Sequence, residues 1–281
     1  MKKLFLSVLA FTALAVSAQK VSNKLTFQKG QTLEVTTNMN MTTQSQMGEI
    51  PVSIAMTDSY TVGVTSAEGT QLTKTPKRVK FSVNAMGQDM SADSDNPSDL
   101  KGQLGEPVKQ IMKQKQEFTV DATGLVSNVK ESEKKDKTDG GMGSMMMPGM
   151  NTASVMAVAG QPSLFKILPS RDVAKGDTWT DSINTEGNKN KTVYTVKDIT
   201  ANEVLLDYTG ESDTKTKQSQ MGMSMDVTAA SKNTGTITLD RATGLLKQKT
   251  MTSNTESSMS VGGQDMNMTS KMTVVMTVKP L

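Results

Sequence analysis

Apolar and polar residues alternate with a period of two along most of this chain. Clear examples lie at residues 33–37, 52–56, 79–83, 236–239 and 272–278. This alternation is typical of β-strands with one buried face and one face in water. We expect roughly 11 or 12 such strands. The pattern predicts an all-β fold, a curved antiparallel sheet or open β-barrel of long strands.

Short turns between these runs favour antiparallel neighbours. The segment Asp121-Ala122-Thr123-Gly124 separates two apolar runs, and Asp240-Arg241-Ala242-Thr243-Gly244 repeats the device with one more residue. An aspartate at the start of a turn accepts hydrogen bonds from its own backbone, and glycine adopts the positive φ that closes a hairpin. Both segments therefore predict tight hairpin turns.

Two stretches depart from the strand pattern and predict one or two short helices. Leu104, Val108 and Ile111 recur at helical spacing, which indicates an amphipathic helix from about residue 105 to 115. A second candidate helix covers residues 152–168, although Gly160 and Pro162 interrupt it.

Residues 1–18 have the pattern of a cleavable secretory signal. Lys2 and Lys3 precede an apolar run, and Val16-Ser17-Ala18 offers the small residues that signal peptidase accepts. The apolar run of about 13 residues is shorter than the roughly 20 that a transmembrane helix needs. We expect cleavage between Ala18 and Gln19 and a periplasmic or secreted protein with no transmembrane segment. Because no cysteine follows the run, a lipoprotein is not expected.

The remaining chain divides by composition into two β-rich halves and a linker. Residues 131–150 are rich in Lys, Gly and Met and have the composition of a disordered linker. It separates a first half, residues 19–130, from a second half, residues 151–281. We expect the two halves to form one domain together.

Composition removes several classes of function. The chain contains no His and no Cys, so Ser-His-Asp and Cys-His catalysis and zinc-His sites cannot be assembled. No phosphate-binding or dinucleotide-binding glycine motif is present. Loss of the leader lowers Lys plus Arg from 31 to 29, against 28 acidic residues, so charge does not favour nucleic acid. We therefore expect a protein that is not an enzyme, needs no cofactor and binds no nucleic acid.

Methionine is the most distinctive residue type, with 23 in the chain. Many are spaced as Met-x-Met, including Met221, Met223 and Met225. Thioether sulfur is a soft ligand, so three on one strand face are candidates for a Cu(I) site. The alternative is that methionine fills apolar strand positions, because its flexible side chain packs in irregular cores. A spacing of two fits either interpretation.

Three segments together resemble a known type of protein. They are Leu168–Trp179, which contains Val-Ala-Lys-Gly-Asp-Thr-Trp, the hairpin Phe118–Val126 before it, and the turn Asp240–Gly244 after it. In this order they resemble a family of uncharacterised, exported, β-rich proteins of Gram-negative bacteria, a domain of unknown function. The resemblance implies export and a β-rich fold, and it implies no catalytic or binding residue.

The leading hypothesis for function follows from the expected architecture. A curved sheet would line its concave face with Met, Val, Leu and Ile, which suits a hydrophobic small molecule or lipid in the cell envelope. Two alternatives stay open: a structural or protein-interaction component of the envelope, and methionine-based Cu(I) binding.

Overall fold

A computed structural model describes most of the chain after the expected leader. The described ranges are residues 20–46, 48–85, 87–131, 156–185, 187–220, 223–261 and 264–281. The expected signal, with Ala18 and Gln19, lies outside these ranges, as do Met221 and the expected linker beyond Glu131.

Fourteen strands, one α-helix and one short 3₁₀-helix make up the described chain. The strands of the first half are β1 Lys20–Val21, β2 Thr32–Ser45, β3 Gly48–Ser66, β4 Gly69–Ala85, β5 Gln88–Asp93, β6 Gln116–Val120 and β7 Val126–Glu131. Those of the second half are β8 Val173–Ala174, β9 Thr178–Thr185, β10 Asn188–Ile199, β11 Glu203–Gln220, β12 Met223–Asp240, β13 Leu246–Val261 and β14 Gln264–Pro280. The 3₁₀-helix is Asp99–Lys101, and the helix α1 is Gly105–Met112.

Twelve of the strands form one antiparallel sheet. Its order is β7-β6-β4-β3-β2-β14-β13-β12-β11-β10-β9, with β5 paired to β4. The first and last long strands, β2 and β14, are neighbours, so both halves of the chain share the sheet. Strands β1 and β8 form a separate pair. The sheet is curved and does not close into a barrel, which confirms the predicted fold class.

One face of the sheet, here called the inner face, carries both hydrophobic clusters. Leu33, Tyr60 and Leu72 lie on it and are almost fully buried. On β4 a register shift between Pro76 and Arg78 inserts one extra residue. Because of this β-bulge, Val79, Phe81 and Val83 face the same side as Leu72 although their numbers differ in parity.

Two irregular segments, residues 20–29 and 156–174, cover one end of the inner face and are called the plug. Phe165 is 1% exposed and its ring makes edge-to-face contacts with Phe27 and Tyr60, at centroid distances of 5.3 and 5.8 Å. The plug packs in one cluster with residues from both ends of the sheet, such as Phe118 on β6 and Val196 on β10. The sheet therefore curves around the plug, and this filled end is called the base.

Both predicted turns form, and they dock the plug. The Asp121 carboxylate accepts hydrogen bonds from the Thr123 backbone and hydroxyl, and Asp240 accepts the same pair from Thr243. The same turns also bind the plug through their backbone. Leu25 N–H donates a hydrogen bond to the Ala122 carbonyl, and Thr26 N–H donates one to the Thr243 carbonyl.

The first predicted helix is confirmed and the second is wrong. Helix α1 packs Leu104 and Val108 against Val52, Ile54 and Phe81 on the inner face. Residues 156–168, the described part of the second candidate, are irregular. Their backbone pairs with the β6–β7 hairpin instead, through hydrogen bonds of Gly160 N–H to Val126 and Ser163 N–H to Gly124.

No helix in the described part of the chain is both long and apolar enough to cross a membrane.

Candidate ligand-binding groove

Beyond the plug, the inner face of β10 to β14 forms an open groove with a floor of small polar side chains. One section, of about 850 Å³, lies over a row in which Thr214 pairs with Ala229, Ala229 with Ser257, and Ser257 with Met268. The next section toward the base, of about 730 Å³, lies over the adjacent row. That row consists of Ser212, Ser231, Thr255 and Ser270. The floor therefore combines free volume with many hydroxyl groups.

A set of methionines forms the apolar side of the same face and is called the methionine patch. Its members are Met39, Met41, Met56, Met251, Met272 and Met276. All are intermediate in exposure, so neither the plug nor α1 covers them fully. Met251 and Met276 pack against the base cluster, whereas Met39, Met41 and Met56 pack against the α1 cluster.

The patch is continuous because its members occupy neighbouring register positions. Met39 pairs with Val274, which in turn pairs with Met251. One row further from the base, Met41 pairs with Met272, and Met272 with Ser253. The patch thus joins the two hydrophobic clusters and borders the polar floor.

An aromatic row marks the boundary between base and groove. Trp179 stacks on Tyr194 with a centroid distance of 5.1 Å, and Tyr194 lies 5.9 Å from Tyr208. Burial raises the pKa of the Tyr194 hydroxyl to about 12. The Trp179 Nε1 is buried without a hydrogen-bond acceptor in the described structure.

Tyr208 lies flat across β12 because the residue opposite it is Gly235. A Cβ at Gly235 would lie 2.7 Å from the Tyr208 hydroxyl oxygen, so only glycine leaves room. The hydroxyl reaches the next strand and donates a hydrogen bond of 2.9 Å to the Thr250 carbonyl. The ring therefore forms the floor at the inner end of the groove.

Lys249 extends over this ring. It lies on β13 between Ile237 and Met276, and its Nζ is 5.3 Å from the centroid of Tyr208. A cation over an aromatic face is attracted by the ring's quadrupole. Burial lowers the pKa of the Lys249 ammonium.

A second inner-face lysine, Lys74, has an acidic partner. Its Nζ lies 3.4 Å from the Asp58 carboxylate, and both side chains are mostly buried, at 4% and 13% exposure. Burial raises the pKa of Asp58 and lowers the pKa of Lys74, and in each case the partner's charge opposes the shift. Removal from water therefore outweighs the mutual attraction, as is common for buried ion pairs.

The Cu(I) candidates at the β11–β12 hairpin stay a prediction. Met221 lies outside the described residues, and for Met223 and Met225 only the backbone is described, with Met225 opposite Val261. Among the described residues, no three carboxylates are grouped in a way that could hold a metal ion.

Sequence reasoning identified part of this site. The Met-x-Met spacing correctly indicates one-faced strands, since Met39 and Met41 share the inner face. It missed the polar floor and Lys249. Strand β13 is polar at most of its positions, so no local pattern singled out Lys249.

Comparison with known proteins adds a family and several distant matches among solved structures. No curated protein matches the sequence. A solved structure concerned with lipid–protein interactions in lipovitellin matches with 11% identity and a TM-score of 0.46, over 90% of this chain and 26% of that one. This chain therefore spans about a quarter of the lipovitellin chain.

Two solved structures of Pseudomonas proteins also match, with low scores. The COG4313 outer membrane channel from Pseudomonas putida F1 matches with 7% identity and a TM-score of 0.24, over 92% of this chain and 98% of that one. Pseudomonas aeruginosa OccK5 matches with 7% identity and a TM-score of 0.22, over 90% and 98%. A sequence model described as a family of unknown function (DUF6263) matches residues 67–246.

Proposed function

We propose that this chain, which belongs to the DUF6263 family of unknown function, binds a hydrophobic small molecule or lipid without catalysing a reaction. The ligand occupies the inner face beyond the plug. The observation that carries the proposal is the methionine patch, a continuous apolar surface that the fold leaves partly exposed.

The methionine patch has properties expected of a surface that binds an apolar ligand. Methionine side chains are flexible and polarisable, so they adapt to apolar partners of different shapes. Covering apolar area stabilises a complex by about 25 cal/mol per Å² removed from water. Because the plug and α1 cover these six residues only in part, the remaining gain is available to a bound molecule.

The groove beside the patch defines the form of the ligand. Sections of about 850 and 730 Å³ fall in the range of small-molecule sites. Their floor offers hydroxyl groups from residues such as Ser231 and Thr255. An elongated molecule with an apolar part on the methionine patch and a polar part over the hydroxyls fits both surfaces.

We also propose that the protein acts outside the cytoplasm, in the periplasm or after secretion. The supporting observation is the leader at residues 1–18. N-terminal sequencing of the protein recovered from periplasm and medium should begin at Gln19. A cytoplasmic protein that begins at Met1 would contradict this proposal.

The first experiment asks what the protein carries. The chain is expressed with its leader, purified without detergent, and analysed by native mass spectrometry and by lipid extraction. We expect a bound apolar molecule in a defined ratio to protein. A ligand-free protein that also takes up no lipid from added vesicles or an apolar fluorescent dye would contradict the proposal.

Matched variants locate the binding surface. Met251→Gln with Met272→Gln keeps side-chain size but adds a polar group to the patch, so we expect ligand content to fall about tenfold or more. Leucine at the same positions should retain the ligand. Val275→Gln, on the outer face of β14 where the side chain is 38% exposed, should also retain it. Equal loss of ligand in all three variants would show that the methionine patch does not bind the ligand.

A second candidate function is protein interaction through the edge strand β9. It ends the sheet, and its outer edge pairs with no other strand in the described ranges. Its sequence contains no Lys or Pro, Asp181 is its single charged residue, and Ile183 is 47% exposed, so the edge is only lightly protected. If β9 accepts a partner strand, Ile183→Lys should abolish cross-linking from this edge to an envelope protein, whereas Ile183→Val should not.

A further inference from the structure

Lys249 is placed where the groove meets the base. Its neighbours in register on the inner face are Ile237 and Met276, both apolar. Since Gly235 has no side chain, the lysine can lean across β12 until its ammonium lies over Tyr208. The positive charge therefore stands at the inner end of the groove, beside the methionine patch.

This charge has no acidic partner in the described chain. The other mostly buried lysine of the inner face, Lys74, is paired with Asp58. On the same strand, the exposed Lys247 is paired with Glu203. Lys249 makes neither an ion pair nor a hydrogen bond among the described residues, and burial is the sole cause of its lowered pKa. Its one specific contact is with the Tyr208 ring.

Packing alone does not account for a lysine at this position. A methionine or leucine would continue the row of Ile237 and Met276 without the penalty of removing an ammonium from water. The ring of Tyr208 offsets only part of that penalty, because a cation–π contact is weaker than the cost of removing an ammonium from water. An anionic ligand group would supply the missing counter-charge.

We infer that Lys249 binds an anionic group of the ligand, a carboxylate or a phosphate, while the apolar part of the same molecule lies on the methionine patch. The inference rests on the proposed function and defines its ligand class as an anionic amphiphile whose charged group lies at Lys249. A fatty acid and a lysophospholipid with a terminal phosphate share this chemistry.

The test compares three probes that differ in the head group. Palmitate, hexadecanol and lysophosphatidate are each titrated, below their micelle concentrations, into the mature protein stripped of ligand. Displacement of an apolar fluorescent dye reports binding. We expect palmitate or lysophosphatidate, or both, to bind at least about tenfold more tightly than hexadecanol, since charge-assisted contacts are stronger than neutral ones. The comparison of the two anions tells which source is preferred.

Variants assign the difference to Lys249. Lys249→Met should reduce the affinity for the preferred anion about tenfold and leave hexadecanol unchanged, and Lys249→Arg should largely retain the anion. Lys247→Met, which removes a neighbouring exposed charge, serves as the matched control and should bind like the wild type. An unchanged melting temperature, or a higher one, shows that Lys249→Met is folded.

Three results have distinct meanings. Equal binding of anions and hexadecanol by the wild type would overturn the inference while leaving the proposed function intact. Equal weakening of all probes by Lys249→Met would also overturn it, because the lysine would then act only as part of the wall. Failure of every probe to bind would contradict the proposed function itself.

Discussion

The base and the groove are built on the same strands but differ in almost every side-chain property. On β12, Ile237 and Leu239 are buried in the base, whereas Ser231 and Asn233 line the groove a few residues earlier. At the base the plug fills the space between the two ends of the sheet. In the groove, no described residue fills the corresponding space. The base therefore stabilises the fold, and the groove stays open, which is where the proposed ligand would lie.

The difference explains how a chain so rich in Ser, Thr and Lys keeps a stable curved sheet. The large buried side chains are concentrated in the base and under α1. The distal rows have mostly small side chains on the inner face, together with Met259, Met266 and Met268, and ladder hydrogen bonds join the long strands there. If the division is real, substitutions in the base should mainly lower stability, and substitutions in the groove should mainly weaken ligand binding.

The largest expected difference in stability is between alanine substitutions at Phe165 and at Met272. Phe165→Ala removes a fully buried ring from the plug and should lower the free energy of unfolding by about 4 kcal/mol. Met272→Ala removes a half-exposed side chain and should cost about 1 kcal/mol, while it weakens ligand binding. Urea denaturation of both variants checks this. Similar losses of stability would break the division between base and groove.

The buried ion pair gives the next largest effect. Lys74→Met leaves the Asp58 carboxylate buried without its partner and should cost about 3 kcal/mol. The double variant Lys74→Met with Asp58→Leu should lose less than the single variant, because burial already outweighs the attraction in this pair. A double-mutant cycle in urea measures the coupling, and strict additivity would argue against it.

Substitutions at two glycines distinguish the cost of disturbing the docked plug from the cost of backbone strain alone. Gly124 has φ of +91°, and an added Cβ would lie 2.5 Å from the Lys166 Cβ in the plug, so Gly124→Ala should cost about 3 kcal/mol. Gly30 has φ of +80° with nothing within 4 Å, so Gly30→Ala should cost only the strain, about 1 kcal/mol. Thermal unfolding of both compares them, and equal losses would show that this turn does not clamp the plug.

The smallest expected effect on stability is a gain, at Lys249. Its folded-state pKa is lowered, so its charge is unfavourable to folding at neutral pH, and this cost fades as pH rises toward the unfolded value of 10.5. Lys249→Met should therefore raise the melting temperature at pH 7 by about 2–4 °C. The advantage should shrink in scans at rising pH. A lower melting temperature at pH 7 would show that the lysine serves the fold and not the ligand.

Much of the fold was predictable because alternation is a local property. The runs at 33–37 and 79–83 became strands, and the Asp-x-Thr-Gly turns became the predicted turns with Gly124 and Gly244 at positive φ. The plug was not predictable. Residues 156–168 form their hydrogen bonds with the distant β6–β7 hairpin, and no local pattern records that pairing.

The candidate site was predictable only in part for the same reason. Methionine spacing showed that Met39 and Met41 share a face, but the continuity of the patch depends on the pairing of β2 with β14, which are the two ends of the sequence. The proposed role of Lys249 depends on Gly235 on the neighbouring strand and on Tyr208 two strands away. The extra residue at Lys77 on β4, which sets the face of Val79, also follows from pairing.

Methyl NMR of the methionines tests the central claim most directly. The mature protein is labelled with ¹³C at the methionine methyls, and palmitate or lysophosphatidate is titrated in. The account predicts chemical-shift changes at the six methionines of the patch, Met39, Met41, Met56, Met251, Met272 and Met276. Met90 and Met112, which lie outside the patch, should change little. Changes confined to Met90 and Met112, or none at the patch when the ligand is bound, would contradict the account.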